Sequence, residues 1–193
     1  MTRPTRRRLL AAPLLGGAGL LAPGVLRTEP VRTEAGWTQS WFLDTFLRLP
    51  EDFAEARGAG KRFAAVFDQR GCPYCVEMHT KHLVDPVIAA YVRERFALLQ
   101  LDLHGAREVQ DFDHATMEER ALARRWRVRF TPSIVFFPDA EELPKKPGHE
   151  IEVARMHGLL RPDQFLGMFR YVAEKAYADG TPFIAWWSRH ARG

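Results

Sequence analysis

Residues 62–82, RFAAVFDQRGCPYCVEMHTKH, constrain this chain more than any other stretch. Phe63 to Phe67 is a short, continuous apolar run and reads as a buried strand. Asp68-Gln69-Arg70-Gly71 turns the chain, and Cys72-Pro73-Tyr74-Cys75 opens a helix predicted to run to about Leu83. The chain has only two cysteines and both lie in this CxxC. That pattern makes a dithiol/disulfide site and argues against a general disulfide scaffold.

Thiol–disulfide exchange needs a thiolate, and a free cysteine, with a pKa of about 8.5, is mostly protonated near neutrality. Unpaired N–H groups and the macrodipole at a helix N-terminus favour the anion. Cys72 is thus expected to be the exposed nucleophile. Cys75, one turn on, is expected to attack the mixed disulfide and release product. Pro73 fits the first turn, where its missing N–H costs nothing. Tyr74 is expected beside the pair, shaping substrate access.

Metal binding competes with this reading. Cys72, Cys75, His79 and His82 have the spacing C-x2-C-x3-H-x2-H, which resembles a zinc or copper set, and they share one helix face. At a rise of about 1.5 Å per residue, however, Cys72 and His82 lie roughly 15 Å apart along the axis. Bonds to zinc are about 2.0–2.3 Å, so one ion cannot collect all four from a regular helix. A site on Cys72 and Cys75 completed by His79 or an outside ligand survives as an alternative, that of a copper or zinc carrier. Otherwise His79 and His82 are solvated or packed helix residues. A purely structural Cys72–Cys75 disulfide closes too small a loop to remove much unfolded-state entropy. The main reading therefore needs no metal and no cofactor beyond the two cysteines.

Charge separates the chain into parts. The formal net charge is +4, which by itself would suggest nucleic acid. Residues 1–28 hold five arginines (Arg3, Arg6, Arg7, Arg8 and Arg27) and no acid; of the 28 basic residues, 23 then remain against 24 acidic ones. The excess belongs to the leader, and nucleic-acid binding is set aside. In that leader, Thr5-Arg6-Arg7-Arg8-Leu9-Leu10 precedes a short apolar run broken by Gly and Pro. A charged flank before a short apolar run reads as an export signal, too broken for a membrane span. Thr-Arg-Arg-x-Leu-Leu resembles the twin-arginine consensus, with Leu9 where that prefers Phe. A periplasmic protein follows, with no stable membrane insertion once the signal is removed.

The chain divides into 1–28 (export signal), 29–49 (N-terminal arm and short helix), 50–179 (the folded domain) and 180–193 (an aromatic and basic tail). Residues 29–39 are polar and read as a linker or arm. Trp41, Phe42, Thr45, Phe46 and Leu49 recur at three- and four-residue steps, predicting a short amphipathic helix. Pro50-Glu51-Asp52 starts a helix ending near Gly58-Ala59-Gly60. Asp85-Pro86 starts another, with Val87, Ile88, Tyr91 and Val92 as its buried stripe. Phe96 to Leu103 is a strand of the kind buried on both faces. A polar insert, 104–116, has a possible small strand at Glu108 to Phe112. Met117 to Arg125 is a helix with Leu122 and Trp126 turned inward. A strand at Ser133 to Phe137, an edge strand at Glu150 to Met156 and a long helix from Pro162 follow. The tail, with Phe183, Ile184, Trp186 and Trp187 among charges, reads as a short helix capping the domain, with a sticky exposed end as the alternative. A parallel pair, then a hairpin and a closing helix, make an α/β three-layer sandwich.

In that order the chain resembles the thioredoxin superfamily, over roughly Pro50 to Tyr177. Three features carry the resemblance: strand–CPYC–helix at 63–82, Thr131-Pro132 directly before a strand, and Gly158 just after the following strand. The second resembles the family's cis-proline loop, and the third the glycine that lets backbone approach the active site. The resemblance implies a thioredoxin-like α/β/α sandwich with a mixed central sheet and a small insertion before the cis-Pro strand. It also implies catalysis by Cys72 and Cys75 as a redox-active disulfide. Pro73, Tyr74, Thr131, Pro132 and Gly158 would bind substrate, with the Thr131 backbone pairing to an extended segment.

Within the superfamily the chain is most similar to the exported SoxW-type thioredoxins of bacterial sulfur-oxidation systems. That narrower likeness rests on Gly-Cys-Pro-Tyr-Cys, Asp85-Pro86, Gly105-Ala106-Arg107-Glu108-Val109, and Ala-Arg-Arg-Trp-Arg-Val at 123–128. It implies protein thiols and disulfides as partners and a membrane thiol transporter as electron donor. A disulfide-forming oxidase or isomerase would share every residue named. Two departures stand out: Gly71 replaces the usual Trp before the first cysteine, and Val66 replaces the buried Asp six residues before it. The general base is therefore unassigned, with Asp68 nearby.

Overall fold

The computed structural model describes residues 29–34 and 36–191. The leader predicted for 1–28 lies outside the described residues. In chain order the elements begin with a hairpin, β1 (Pro30–Thr33) and β2 (Gly36–Gln39), and helix α1 (Leu49–Gly58). Next come β3 (Arg62–Asp68), α2 (Pro73–Glu77) running into a π-turn (Met78–His82), α3 (Pro86–Arg95) and β4 (Phe96–Asp102). The insert forms β5 (Glu108–Gln110) and β6 (Thr116–Glu118), followed by α4 (Glu119–Arg125) and β7 (Ser133–Phe136). The chain closes with α5 (Gly148–Ile151), β8 (Ala154–His157), α6 (Pro162–Ala173) and α7 (Phe183–His190).

The central sheet has the order β4-β3-β7-β8. β3 pairs parallel with β4 and antiparallel with β7, and β7 pairs antiparallel with β8, so the sheet is mixed as expected. Side chains alternate across β3. Phe63, Ala65 and Phe67 pack with Leu49 and Phe53 of α1 and with Leu122 and Trp126 at α4. Ala64 and Val66 pack on the opposite face with Met78, Ile88 and Val92, and with Phe165 and Phe169 of α6. Helices therefore cover both faces, completing the three layers. The same alternation puts Asp68 on the Val66 face, under the helix that carries the cysteines.

Local chemistry explains the helix starts. Pro50 enters α1 at its first turn with Glu51 and Asp52 behind it. Asp85 caps α3, its Oδ1 accepting the N–H groups of Val87 and Ile88 at 2.9 and 3.0 Å. In α3 the buried stripe is Ile88, Ala89 and Val92, while Val87 is exposed, contrary to expectation.

Four other expectations are corrected. Residues 29–39 are not a loose arm. They form a hairpin registered Pro30 to Gln39 and Thr33 to Gly36, with Arg32 over the Trp37 ring. Residues 40–48 form no helix; after one turn, closed by the Phe42 N–H on the Gln39 carbonyl, the backbone bridges outward, Leu43 to Leu99 and Arg48 to Gln110. Leu47 has φ +56°, which breaks helical continuity, and Phe46 is 93% exposed. The apolar spacing there reflects alternate contacts of an irregular segment. At 150–156, Pro147 opens the single turn of α5, and the edge strand starts only at Ala154. Met117 and Glu118 likewise belong to β6, and the helix after them begins at Glu119. The tail caps the domain as expected, with Trp186 of α7 buried among the α6 aromatics.

Candidate active site

β3 ends where the turn through Gly71 (φ +77°) hands the chain to α2. Cys72 takes the N-cap position, and its Sγ accepts the Cys75 N–H at 3.1 Å. The two cysteines form a disulfide with Cα atoms 5.2 Å apart. Across from them the Thr131–Pro132 peptide bond is cis. The Thr131 carbonyl oxygen lies 3.4 Å from Cys72 Sγ.

Gly158 completes the arrangement. It sits just past β8 with φ +74° and donates its N–H to the Pro132 carbonyl at 2.9 Å. A Cβ there would meet nothing within 4 Å, so the left-handed backbone, rather than crowding, calls for glycine. Segments about 60 and 85 residues beyond the CxxC thus meet it at one end of the sheet. Pro73 and Tyr74 are exposed on the helix start, Tyr74 at 62%, and Phe130 is exposed just before the proline loop.

The expected exposure of Cys72 is not observed. It is 5% exposed and Cys75 4%, so in the disulfide form both sulfurs are covered. The Thr131 carbonyl oxygen lies against Cys72 Sγ, and the N-terminal hairpin faces the pair across a cavity. Thr33, Gly36 and Trp37 wall a cavity of about 450 Å³ whose other side is Gly71, Cys72 and Cys75. The hairpin residues gave no sequence signal for this role because their composition is merely polar.

Beneath the disulfide lies a buried polar network. Asp68 is 6% exposed and His79 fully buried. His79 Nε2 is 2.7 Å from Asp68 Oδ2, which also accepts the Gln100 side-chain amide at 2.9 Å. Gln39 of β2 donates to the His79 carbonyl at 2.9 Å, with the same nitrogen 3.4 Å from His79 Nδ1. His79 Nε2 is thus the ring nitrogen aimed at the carboxylate. Gln100 also donates to the Trp37 carbonyl at 2.8 Å, tying the hairpin to β4. Asp68 Oδ1 is buried with no hydrogen-bond partner, and Asp68 borders the same cavity as Cys72 and Cys75.

His82 does not join this group. Its Nε2 meets the Leu160 carbonyl at 3.0 Å, and its ring stands edge-on to Phe165. The cysteine–histidine set that shares a helix face in the sequence is therefore divided between two environments. Among the described residues no three His, Cys, Asp or Glu side chains are grouped to hold a metal. The signal that could have found the network is the alternation of β3, which carries Ala64 and Val66 and then a carboxylate into the helix-covered face.

A second cavity, of about 620 Å³, adjoins the first and shares Asp68 and Gln100 with it. Its far wall is the insert, where buried Glu119 takes two hydrogen bonds from the Arg107 guanidinium and one, at 2.8 Å, from the Asp102 N–H. Gly105 is required there: a Cβ would come within 2.0 Å of the Glu119 carboxylate.

Comparison with known proteins gives a consistent picture. The model of a thioredoxin-like domain matches residues 49–173. The solution structure of a thioredoxin from Thermus thermophilus is similar at 30% identity and a TM-score of 0.52, over 71% of this chain and 95% of that one. A thioredoxin-fold protein from Helicobacter pylori shares the fold at 22% identity and a TM-score of 0.54, over 72% of this chain and 80% of that one. No curated protein sequence matches the chain. The β1–β2 hairpin and α7 fall outside the matched residues.

Proposed function

The chain belongs to the thioredoxin-like family and is a thiol–disulfide oxidoreductase; from that premise we propose that it is an exported reductant of the SoxW type. Cys72 attacks a substrate disulfide, and Cys75 resolves the mixed disulfide. The substrate is a sulfur-oxidation protein or its cysteine-bound sulfur, and a membrane thiol transporter returns the electrons. The observation that carries the reading is the meeting of the disulfide with the Thr131 carbonyl, 3.4 Å from Cys72 Sγ, beside a cis-proline. An extended substrate segment laid on that loop would present its disulfide to Cys72, with Pro73, Tyr74 and Gly158 framing the contact.

The arginine-rich flank before the apolar run of 1–28 supports export through a twin-arginine-like signal to the periplasm. No helix among the described residues is long and apolar enough to cross a membrane. An exported reductant needs a membrane partner because the periplasm is kept oxidising. The SoxW likeness is supported by Gly71-Cys72-Pro73-Tyr74-Cys75, by the Asp85-Pro86 helix start and by the short insert.

The test is the reduction potential of the Cys72/Cys75 couple in glutathione buffers. A reductant is expected to lie near the thioredoxin value of about −270 mV. A value near the strong-oxidant limit of about −120 mV would replace this reading with a disulfide-forming oxidase.

A further inference from the structure

The resolving step needs a base. A cysteine buried beside a disulfide loses its proton poorly by itself, because burial disfavours the charged form. The acid position expected from the family pattern holds Val66, which is fully buried among apolar side chains and cannot accept a proton. We propose that Asp68 accepts the Cys75 proton in this chain, and that His79, itself held by Gln39 of the N-terminal hairpin, positions the carboxylate to do so. This rests on the assignment of Cys72 as nucleophile and Cys75 as resolving thiol.

Four observations carry it. Asp68 is nine-tenths buried, yet borders the cavity that Cys72 and Cys75 also border. One carboxylate oxygen, Oδ2, is occupied by His79 and Gln100, at 2.7 and 2.9 Å. The other, Oδ1, is buried without a partner. An unpartnered buried carboxylate oxygen is costly, and such groups in folded proteins call for a reason. Finally, the π-turn carries His79, four residues after Cys75. One face of a continuous helical segment thus bears the resolving thiol and the residue that holds its base.

The other charged groups around Asp68 are few. Arg32 and Glu34 of the hairpin and Arg70 border the cysteine cavity. Asp44, Asp102, Arg107 and Glu119 border the adjoining one, where Arg107 is engaged by Glu119. Neutral Gln39 and Gln100 hold the pair directly.

The step balances as follows. The Cys75 S–H proton passes, relayed by water in the shared cavity, to the Asp68 carboxylate, giving a carboxylic acid and a thiolate. That thiolate attacks Cys72 Sγ in the Cys72–substrate disulfide. The Cys72–Cys75 bond forms, the Cys72–substrate bond breaks, and the substrate sulfur leaves as thiolate. Two electrons pass from the dithiol to the substrate, and the acid then returns its proton to solvent. His79 Nε2 stays paired with Oδ2 throughout.

Single-turnover reaction of the reduced full chain with dithiobis(nitrobenzoate) separates the steps. The first coloured thiolate reports attack by Cys72, and the second reports attack by Cys75 on the mixed disulfide. For Asp68→Asn, the rate of the second phase relative to the first is expected to fall roughly 10²-fold at neutral pH. It should recover as alkali ionises the thiol unaided. Gln39→Ala and His79→Gln should lower the same ratio less, and Asp68→Glu should restore part of it. A second phase of unchanged ratio and pH profile in Asp68→Asn overturns the proposal. Should that variant fail to fold, the wild-type profile decides. A second phase flat between about pH 7 and 8 supports the proposal, and a tenfold rise per unit toward the free-thiol pKa of about 8.5 overturns it. Absence of the first phase would overturn the assignment of Cys72 as well, so the two failures are distinct.

Discussion

Asp52 shows how one residue can oppose the structure that holds it. It lies in the first turn of α1, where the helix N-terminus favours negative charge. Burial nevertheless dominates and pushes its carboxyl from the ordinary 3.8 up to about 6, aided by Glu55 and Glu51 and opposed by a Thr45 hydrogen bond. Because the folded pKa is raised, the folded chain binds the proton more tightly than the unfolded chain. Stability therefore declines as pH rises through the window from 3.8 to about 6, and the full cost is present above it. Each pH unit of that window corresponds to about 1.4 kcal/mol. Asp52→Asn is expected to raise Tm at pH 7.5 by several degrees and to give no advantage below pH 4, as thermal melts at both values would show. Legibility at this scale was uneven. Pro132 and Gly158 stand beside strands whose patterns are clear, so their placement at the disulfide end of the sheet could be read in advance. Asp68 and His79 could not, because a carboxylate at a strand end and a histidine on a helix are each ordinary alone. Only their 2.7 Å contact gives them meaning.

Among the elements, the insert is organised by one side chain. Asp111 is fully buried and accepts from the Phe112 and Gly148 N–H groups at 2.8 and 2.9 Å, and from Arg125 and the Trp126 indole at 3.0 Å each. It thereby joins the β5–β6 loop to the end of α4 and the start of α5. Asp111→Ala leaves the Trp126 indole, the Gly148 N–H and part of the Arg125 guanidinium without their acceptor. Removing one partner of a buried charged network costs about 3–5 kcal/mol, and urea unfolding should show a loss of that size. The small strand expected near Glu108 is present because Val109 has one face to bury. The helix expected over 41–49 is absent, since spacing alone cannot tell a helix from an irregular segment whose apolar side chains reach separate contacts. Trp41 and Phe42 lie with the α2–α6 core, whereas Leu43 and Leu47 lie with the α1–α4 core.

For the molecule as a whole, the order of the sheet strands and main helices from α1 to α6 was readable because their apolar runs keep one period and are bounded by Pro, Gly or Asp. What composition could not reveal was how the two ends of the described chain are used. At the C-terminal end, α7 covers α6: Trp186 packs on Tyr171, and Trp187 lies so close to Gly167 that a Cβ there would fall 2.4 Å from its ring. Trp186→Ala should destabilise the fold by about 3–5 kcal/mol without altering the ratio of the two thiol-exchange phases, a separation that denaturant curves and stopped flow would both register. At the other end, the hairpin holds His79 through Gln39 and Asp68 through Gln100 and the Trp37 carbonyl. Docking of the hairpin and oxidation of the dithiol are linked equilibria to the extent that the two redox states hold the hairpin differently. Whichever redox state the hairpin grips more tightly, it must favour by the same free energy, since coupling is reciprocal. In a two-electron couple every 1.4 kcal/mol of that preference moves the midpoint by about 30 mV. A preference of that kind would let a segment outside the matched domain set part of the voltage at which the domain works.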